Sequence, residues 1–201
     1  MKKSKIKIVF VLVGIILFSL LFLNLYNDFL KDNSYDKKLS SINSYGYTLS
    51  PTDTKVYKDN YKLLEDLLNQ DNINFEEYAK LISKLFVIDV FTLDNKVAST
   101  DIGGLEFIHN DLKDNFKENM ESTLYKHIES NLDGNRKQSL PIVKDVIINS
   151  VFETKYIYNN TEYSAYLISL SIEYEKDNDY QKNIKLTIIN DNNKLYIVKG
   201  E

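Results

Sequence analysis

Residues 166–175 read Tyr166-Leu167-Ile168-Ser169-Leu170-Ser171-Ile172-Glu173-Tyr174-Glu175. Extended, this stretch puts Tyr166, Ile168, Leu170, Ile172 and Tyr174 on one face and Ser169, Ser171, Glu173 and Glu175 on the other. Only a period of two sorts the residues this way, so the segment is a strand with one buried and one solvated face, as antiparallel sheets have. Downstream, Ile184, Leu186 and Ile188 predict a third strand. Asp191-Asn192-Asn193 turns the chain into a short last strand, Leu195–Val198. Upstream, Asn159-Asn160 is a hairpin signal, because asparagine tolerates the positive φ that tight hairpin turns require. The period-two pattern starts at Ile142, with Val146, Ile148, Phe152, Tyr156 and Tyr158 alternating with polar residues.

Before Ile142 the period lengthens to 3.6. Ser50-Pro51-Thr52-Asp53 combines a capping hydroxyl, a proline suited to the first helical position and a carboxylate at the positive helix end. It predicts a helix from 51 to about 69 with Val56, Tyr57, Leu63, Leu64, Leu67 and Leu68 on a broad face. Asp71-Asn72 breaks it. Asn74-Phe75-Glu76-Glu77 has the spacing of a capping box and opens a second helix carrying Phe75, Tyr78, Ala79, Ile82, Leu85 and Phe86. Its end, Leu85-Phe86-Val87-Ile88-Asp89-Val90-Phe91, is apolar nearly all round and should be buried on several sides. Gly103-Gly104 marks a tight connection, and Leu105–His109 reads as either a short strand or the start of the next helix. That third helix is expected to reach about Leu132 through Leu112, Phe116, Met120, Leu124 and Ile128, with Asp133-Gly134-Asn135 ending it.

The N-terminus carries Lys2, Lys3, Lys5 and Lys7, followed by an apolar run from Ile8 to Leu23. With Ile6, Leu25 and Tyr26 the run reaches the roughly 20 residues that cross a bilayer as a helix, and the lysines hold the N-terminus in the cytoplasm. A cleaved signal peptide is the competing reading. It would have an apolar region of about 7–15 residues and a small-residue cleavage site, which Asn24–Leu30 does not offer. The expected organisation is a cytoplasmic basic tail over 1–7, a transmembrane anchor over 8–26, a stalk or linker over 27–50 and an extracytoplasmic α+β domain over 51–201. The fold class is α+β: after the membrane helix, about three helices packed on a curved antiparallel sheet of about four strands.

Charge and composition exclude several function classes. The chain holds 25 basic and 29 acidic residues; without the four N-terminal lysines the remainder carries a net charge of −8. An acidic domain lacks the basic patch that nucleic acid needs. With no cysteine there is no disulfide, thiolate zinc site or thiol nucleophile. Lysine, asparagine, isoleucine and tyrosine are abundant and arginine occurs once, at Arg136, an AT-rich coding bias that points to a low-GC bacterium. No phosphate loop, dinucleotide fingerprint or nucleophile elbow is present.

Individual polar residues carry few signals. Asp89 lies inside an apolar run, where burial would raise its carboxyl and could make a general base, so it is the single weak catalytic candidate. The alternative is a carboxylate at the edge of the packed face, paired with a lysine, a tyrosine hydroxyl or a backbone amide. Sequence places no histidine or second carboxylate beside it. His109 and His127 would be about 27 Å apart on one helix, too far to share a metal. Glu129, Asn131, Asp133 and Gly134 match the start of a calcium loop, but Lys137 and Leu140 stand at its later ligand positions. No metal or cofactor is expected. Asp111, Asp114, Glu118 and Glu121 read as a solvated stripe. Tyr156, Tyr158, Tyr166 and Tyr174 fall on strands, where they pack in a core or face a partner.

The order of elements carries a resemblance: a long helix from Pro51, an apolar second helix ending in Phe86–Phe91, the Gly103-Gly104 connection, a third helix, then a curved antiparallel sheet from Val143 to Val198. Over residues 51–199 this resembles the nuclear transport factor 2-like, or cystatin-like, fold. The resemblance implies a cone with a pocket between the helices and the concave sheet face, in a group that includes enzymes and many binding modules. The architecture is also similar to the single-pass scaffold subunit of type IV secretion and conjugation systems, which has a short cytoplasmic tail, one membrane helix and such a domain outside. No motif carries functional residues over. The expected function is a membrane-anchored, non-catalytic binding or assembly domain of a bacterial envelope, with envelope or secretion proteins, or further copies of itself, as partners. The alternative is a small-ligand pocket protein or enzyme using Asp89 and pocket tyrosines. A sensory role is not expected, because it would call for a cytoplasmic output domain and the expected cytoplasmic part is only the basic tail over 1–7.

Overall fold

A computed structural model of the chain describes residues 40–42, 44–176 and 179–201. The tail, the membrane helix and most of the stalk expected over residues 1–39 lie outside the described residues. No helix among the described residues is long and apolar enough to cross a membrane. The elements in chain order are strands β1 (Ser40–Ile42) and β2 (Tyr47–Leu49), helices α1 (Lys55–Leu68), α2 (Phe75–Phe91) and α3 (Lys113–Ser122), and strands β3 (Val143–Tyr158), β4 (Thr161–Tyr174), β5 (Asn183–Asp191) and β6 (Lys194–Gly200). A 3-10 turn, Asn110–Leu112, leads into α3. The class is α+β, with a four-stranded antiparallel sheet in the order β3-β4-β5-β6.

Helix α2 forms where its sequence dictates. Asn74 is extended, and its side-chain carbonyl accepts from the amides of Glu76 and Glu77, each at 3.1 Å. Glu76 and Glu77 also complement the positive helix end. From Leu85 to Phe91 every residue but Asp89 is buried. The helix packs on one face against α1 and on the other against the sheet, chiefly β3, which is why it is apolar nearly all round. Helix α1 starts later than expected. Ser50–Asp53 closes on itself as one turn, with the Asp53 carboxylate accepting from the Ser50 amide at 2.6 Å. Thr54 then adopts an extended backbone, so the turn does not propagate, and its hydroxyl caps a new start by accepting from Tyr57 N–H. Tyr57, Tyr61, Leu64, Leu67 and Leu68 face the core, while Leu63 is 56% exposed.

Helix α3 ends ten residues before the expected Leu132. Its apolar residues Phe116 and Met120 pack inward. In a continuous helix Tyr125 would stand on the side opposite Phe116, at 100° per residue. Instead the chain unwinds at Thr123, and Tyr125 turns in and is fully buried with Leu93, Ile102 and Ile128. Its hydroxyl donates to the Val90 carbonyl at 2.8 Å and accepts from the Gly103 amide at 3.2 Å. Leu105–His109 is neither a full strand nor a helix: Ile108 makes a single parallel bridge to Ile197 at the β6 edge.

The sheet confirms the period-two reading with one correction. Ile168, Leu170 and Ile172 of β4, Leu186 and Ile188 of β5 and Ile197 of β6 fill the helix-facing side. Asn159-Asn160 and Asn192-Asn193 make the hairpin turns with both residues at positive φ. In β3, however, the register shifts between Ile148 and Ser150, a β-bulge. An extra residue there reverses which parity faces the core. Val146 and Ile148 therefore point to the helices, but Phe152 pairs with Leu167 on the opposite face and is 64% exposed.

The stretch read as linker contributes structure from residue 40 onward. Strands β1 and β2 pair, and Tyr47 is fully buried among Tyr78 and Phe107. The Tyr47 and Tyr78 hydroxyls share a hydrogen bond of 2.6 Å. Tyr61 donates to the Tyr47 carbonyl at 3.0 Å and accepts from the Ile42 amide at 3.1 Å. An aromatic anchor of this size contributes about 2–3 kcal/mol by burial alone. The reading as stalk missed it because two three-residue strands leave no periodicity.

Candidate functional site

Two concavities stand out. The first is a polar cleft of about 350 Å³ between the β2–α1 connection, the C-terminal end of α2 and the 95–106 loop. Asp89 is at its floor. It lies on α2 three residues after Phe86 and one before Val90, so its side chain leaves the buried face at a rim. Lys96 reaches it with Nζ at 2.5 Å from Oδ1, and the Lys96 side chain is only 7% exposed. The other carboxylate oxygen accepts from the Gly104 amide at 2.6 Å.

Glycine is required here for space and conformation. A Cβ on Gly103 would sit 2.4 Å from the Asp89 carbonyl oxygen. Gly104 has φ +77, and a Cβ there would lie 2.7 Å from both Phe86 and Val90. The glycine pair lets the loop lie flat on α2 and present its amide to Asp89.

The same loop brings in Glu106. Its Oε2 accepts from the Thr48 amide at 3.0 Å and the Thr48 hydroxyl at 2.9 Å, and its Oε1 accepts from the Tyr57 hydroxyl at 3.1 Å. Burial nevertheless raises its carboxyl to about 7, with the charge of Asp89 adding to the rise against these hydrogen bonds. Burial likewise raises Asp53, opposed by the Ser50 amide and reinforced by Asp89. The Tyr57 phenol is pushed well above its ordinary value by burial and by the Glu106 charge. The Asn95 side-chain oxygen is buried at the cleft wall without a hydrogen-bond partner.

The cleft therefore gathers four carboxylates (Asp53, Asp89, Asp101 and Glu106), one lysine and a phenol from four separate segments. The second carboxylate that sequence could not place beside Asp89 is present as Asp53 and Glu106, both of which feel its charge, and Asp101 lines the same cleft. Asp53 was visible only as a helix-start residue. Glu106 had one signal, its position two residues after the glycine connection. Chemically the arrangement can exchange a proton near neutral pH at Glu106 and hold polar groups. Asp89 itself is engaged by Lys96 and Gly104.

The second concavity is an apolar groove of about 610 Å³ between α3, the end of α2 and the β5–β6 edge. Phe86, Phe116, Met120, Leu124, Ile184 and Ile197 contribute its walls, and Asn115, Asn119, Gln181 and Lys199 contribute polar groups. No matching family model, curated protein or solved structure was found for this chain.

The remaining sequence candidates lie elsewhere. His109 precedes the 3-10 turn and accepts from the Asp111 amide; its ring meets Tyr158 and Tyr196 edge-on at 5.0 and 5.2 Å. His127 is in the turns after α3, so no single helix holds both. Among the described residues no three His, Asp or Glu side chains are grouped to hold a metal. In the stretch resembling a calcium loop, the Asn131 side chain accepts from the Arg136 amide, and the Arg136 guanidinium donates to the carbonyls of Asp94, Lys96 and Glu129. The sole arginine thus ties this loop to the one carrying Lys96. Tyr166 is buried, Tyr174 packs at the core edge, and Tyr156 and Tyr158 are partly exposed.

Proposed function

We propose that this chain is a membrane-anchored, non-catalytic extracytoplasmic binding or assembly domain of a bacterial envelope, held by the 8–26 helix with residues 1–7 in the cytoplasm. The contrast between the two concavities supports this reading. In the polar cleft Asp53, Asp89, Lys96, Asp101 and Glu106 each already have a protein partner. The apolar groove offers hydrophobic walls with a few amides and one lysine, the lining that recognises apolar side chains of a partner. Its place between helices and sheet is the pocket position of the nuclear transport factor 2-like fold, which we propose as the family of this domain.

A photo-crosslinking residue at position 124 of the full-length protein, in intact cells, tests the reading. The expected result is one reproducible adduct with an envelope protein, absent when the same residue is placed at the exposed position 63. Equal adducts from both positions, or none from 124, refute it.

The alternative, a small-ligand protein or enzyme, draws support from Glu106, whose carboxyl near 7 shares a cleft with Asp89 and Tyr57. It requires Asp89→Asn to abolish cellular function while leaving the folded domain intact.

A further inference from the structure

The two edges of the main sheet are treated differently. At the β6 edge, Ile197 donates to the Phe107 carbonyl at 2.8 Å, and His109 donates to the Ile197 carbonyl at 3.2 Å, so the 107–109 segment covers it. At the other edge no described strand lies beyond β3. There Phe152, Glu153, Thr154, Lys155 and Ile157 are all exposed, Phe152 at 64% and Ile157 at 69%. A long unpaired edge that exposes large apolar residues such as Phe152 and Ile157 is a template for another strand, and proteins that stay monomeric blunt or cover such edges.

The phase of the hairpin decides which backbone groups are free. Asn159-Asn160 is a two-residue turn with both φ positive, closed by the pair Tyr158–Thr161. The closing pair of such a turn exchanges both its hydrogen bonds, and hydrogen-bonded and non-hydrogen-bonded pairs then alternate. The register is unbroken from Ser150 to Tyr158. Phe152, Thr154 and Tyr156 therefore spend their backbone groups on β4. Val151, Glu153, Lys155 and Ile157 turn theirs to the open edge.

We propose that the open edge pairs with the same edge of a second copy, antiparallel about a two-fold axis at Thr154, joining two four-stranded sheets into one of eight. This register places Glu153 opposite the partner's Lys155, Val151 opposite the partner's Ile157, and Phe152 opposite the partner's Tyr156. Opposite charges, β-branched pairs and aromatic pairs are the combinations that stabilise directly facing residues. The neighbouring registers lose this. An axis at Glu153 sets Glu153 against itself, and an axis at Lys155 sets Lys155 against itself. An edge lysine alone would repel a second copy. Glu153, two positions earlier, turns that repulsion into attraction in the Thr154-centred register. Lys155 also pairs with Glu162 of its own chain at 2.6 Å, so the charges alternate across the joined sheets.

The chain has no cysteine, so an introduced thiol reports alone. In the proposed dimer the two copies of residue 154 form a non-hydrogen-bonded pair with Cα atoms about 4.5 Å apart, within the range a disulfide spans. Full-length Thr154→Cys, oxidised with copper-phenanthroline, is expected to give a disulfide-linked homodimer, and Lys185→Cys on the solvated face of β5 is not. Phe152→Cys alone should stay uncrosslinked but should couple to Tyr156→Cys when the two variants are co-expressed. Adding Glu153→Lys to Thr154→Cys should cut dimer yield about tenfold by setting like charges opposite each other, and Glu153→Lys with Lys155→Glu should restore it. Crosslinking of Thr154→Cys no stronger than that of Lys185→Cys, an adduct with a different protein, or insensitivity to Glu153→Lys would overturn the proposal.

Discussion

Glu106→Gln is the most informative perturbation of the polar cleft. The Glu106 carboxyl stands at about 7 in the folded protein because burial disfavours its charge, against an ordinary value of 4.5. Between those two pH values the folded state holds a proton that the unfolded chain has released, so stability falls as pH rises through that window and levels off above about 7. Each pH unit is worth about 1.4 kcal/mol, so the whole loss is about 3 kcal/mol. Glutamine reproduces the protonated form. Its carbonyl accepts from Thr48 as Oε2 does, and its amide donates to the Tyr57 oxygen once that hydroxyl rotates. Urea unfolding of the 39–201 fragment between pH 4.5 and 8, followed by far-ultraviolet circular dichroism, measures the effect. The variant should be more stable than the parent at pH 8 by up to about 3 kcal/mol, equal to it near pH 4.5, and should lose Glu106's part of the slope between them. If Glu106→Gln is less stable at pH 8, or keeps the full slope, the three hydrogen bonds outweigh burial and the reasoning fails.

Two further changes probe the cleft floor. Lys96→Met keeps the apolar stem but leaves the Asp89 carboxylate without its cation, and should cost about 3 kcal/mol in urea unfolding. Pairing it with Asp89→Asn should recover part of that loss, since removing both charges also removes the buried imbalance. Gly104→Ala meets both the positive φ and the contacts with Phe86 and Val90. It should lower stability by more than about 1 kcal/mol, visible as a drop in thermal midpoint; a neutral result would mean that the loop shifts away from α2 at no cost.

Much of the fold was legible because local patterns and tertiary demands agree. The alternation at Tyr166–Glu175 needed a half-buried strand, and β4 is one. Asn74 capped α2 as its spacing required, and the apolar run to Phe91 announced a helix covered on two sides. The asparagine pairs at 159–160 and 192–193 were read as turns because they tolerate the backbone those turns need. Where the pattern misled, one buried side chain and one inserted residue decided the outcome. Tyr125 ends α3 by turning inward, which helical periodicity continuing through Leu124 and Ile128 concealed. The bulge between Ile148 and Ser150 sends Phe152 to the opposite face, although it stands an even number of residues after Ile148.

The candidate site was the least legible part. Asp89 could be singled out as a carboxylate in an apolar run, since that contradiction exists within one segment. Its neighbours in the cleft could not be named. Lys96, Gly104, Glu106 and Asp53 are drawn from a loop and a helix start whose local sequence describes only their own turns. The hydrogen bonds of 2.5–3.1 Å from Lys96 and Gly104 to Asp89, and from Thr48 and Tyr57 to Glu106, exist only once α2, the glycine loop and the β2–α1 connection are packed. The sequence by itself determined where the backbone is helical or extended, because those preferences act over a few neighbouring residues. Tertiary structure alone decided which charges are buried together, because burial and charge pairing depend on distances between segments that are far apart along the chain.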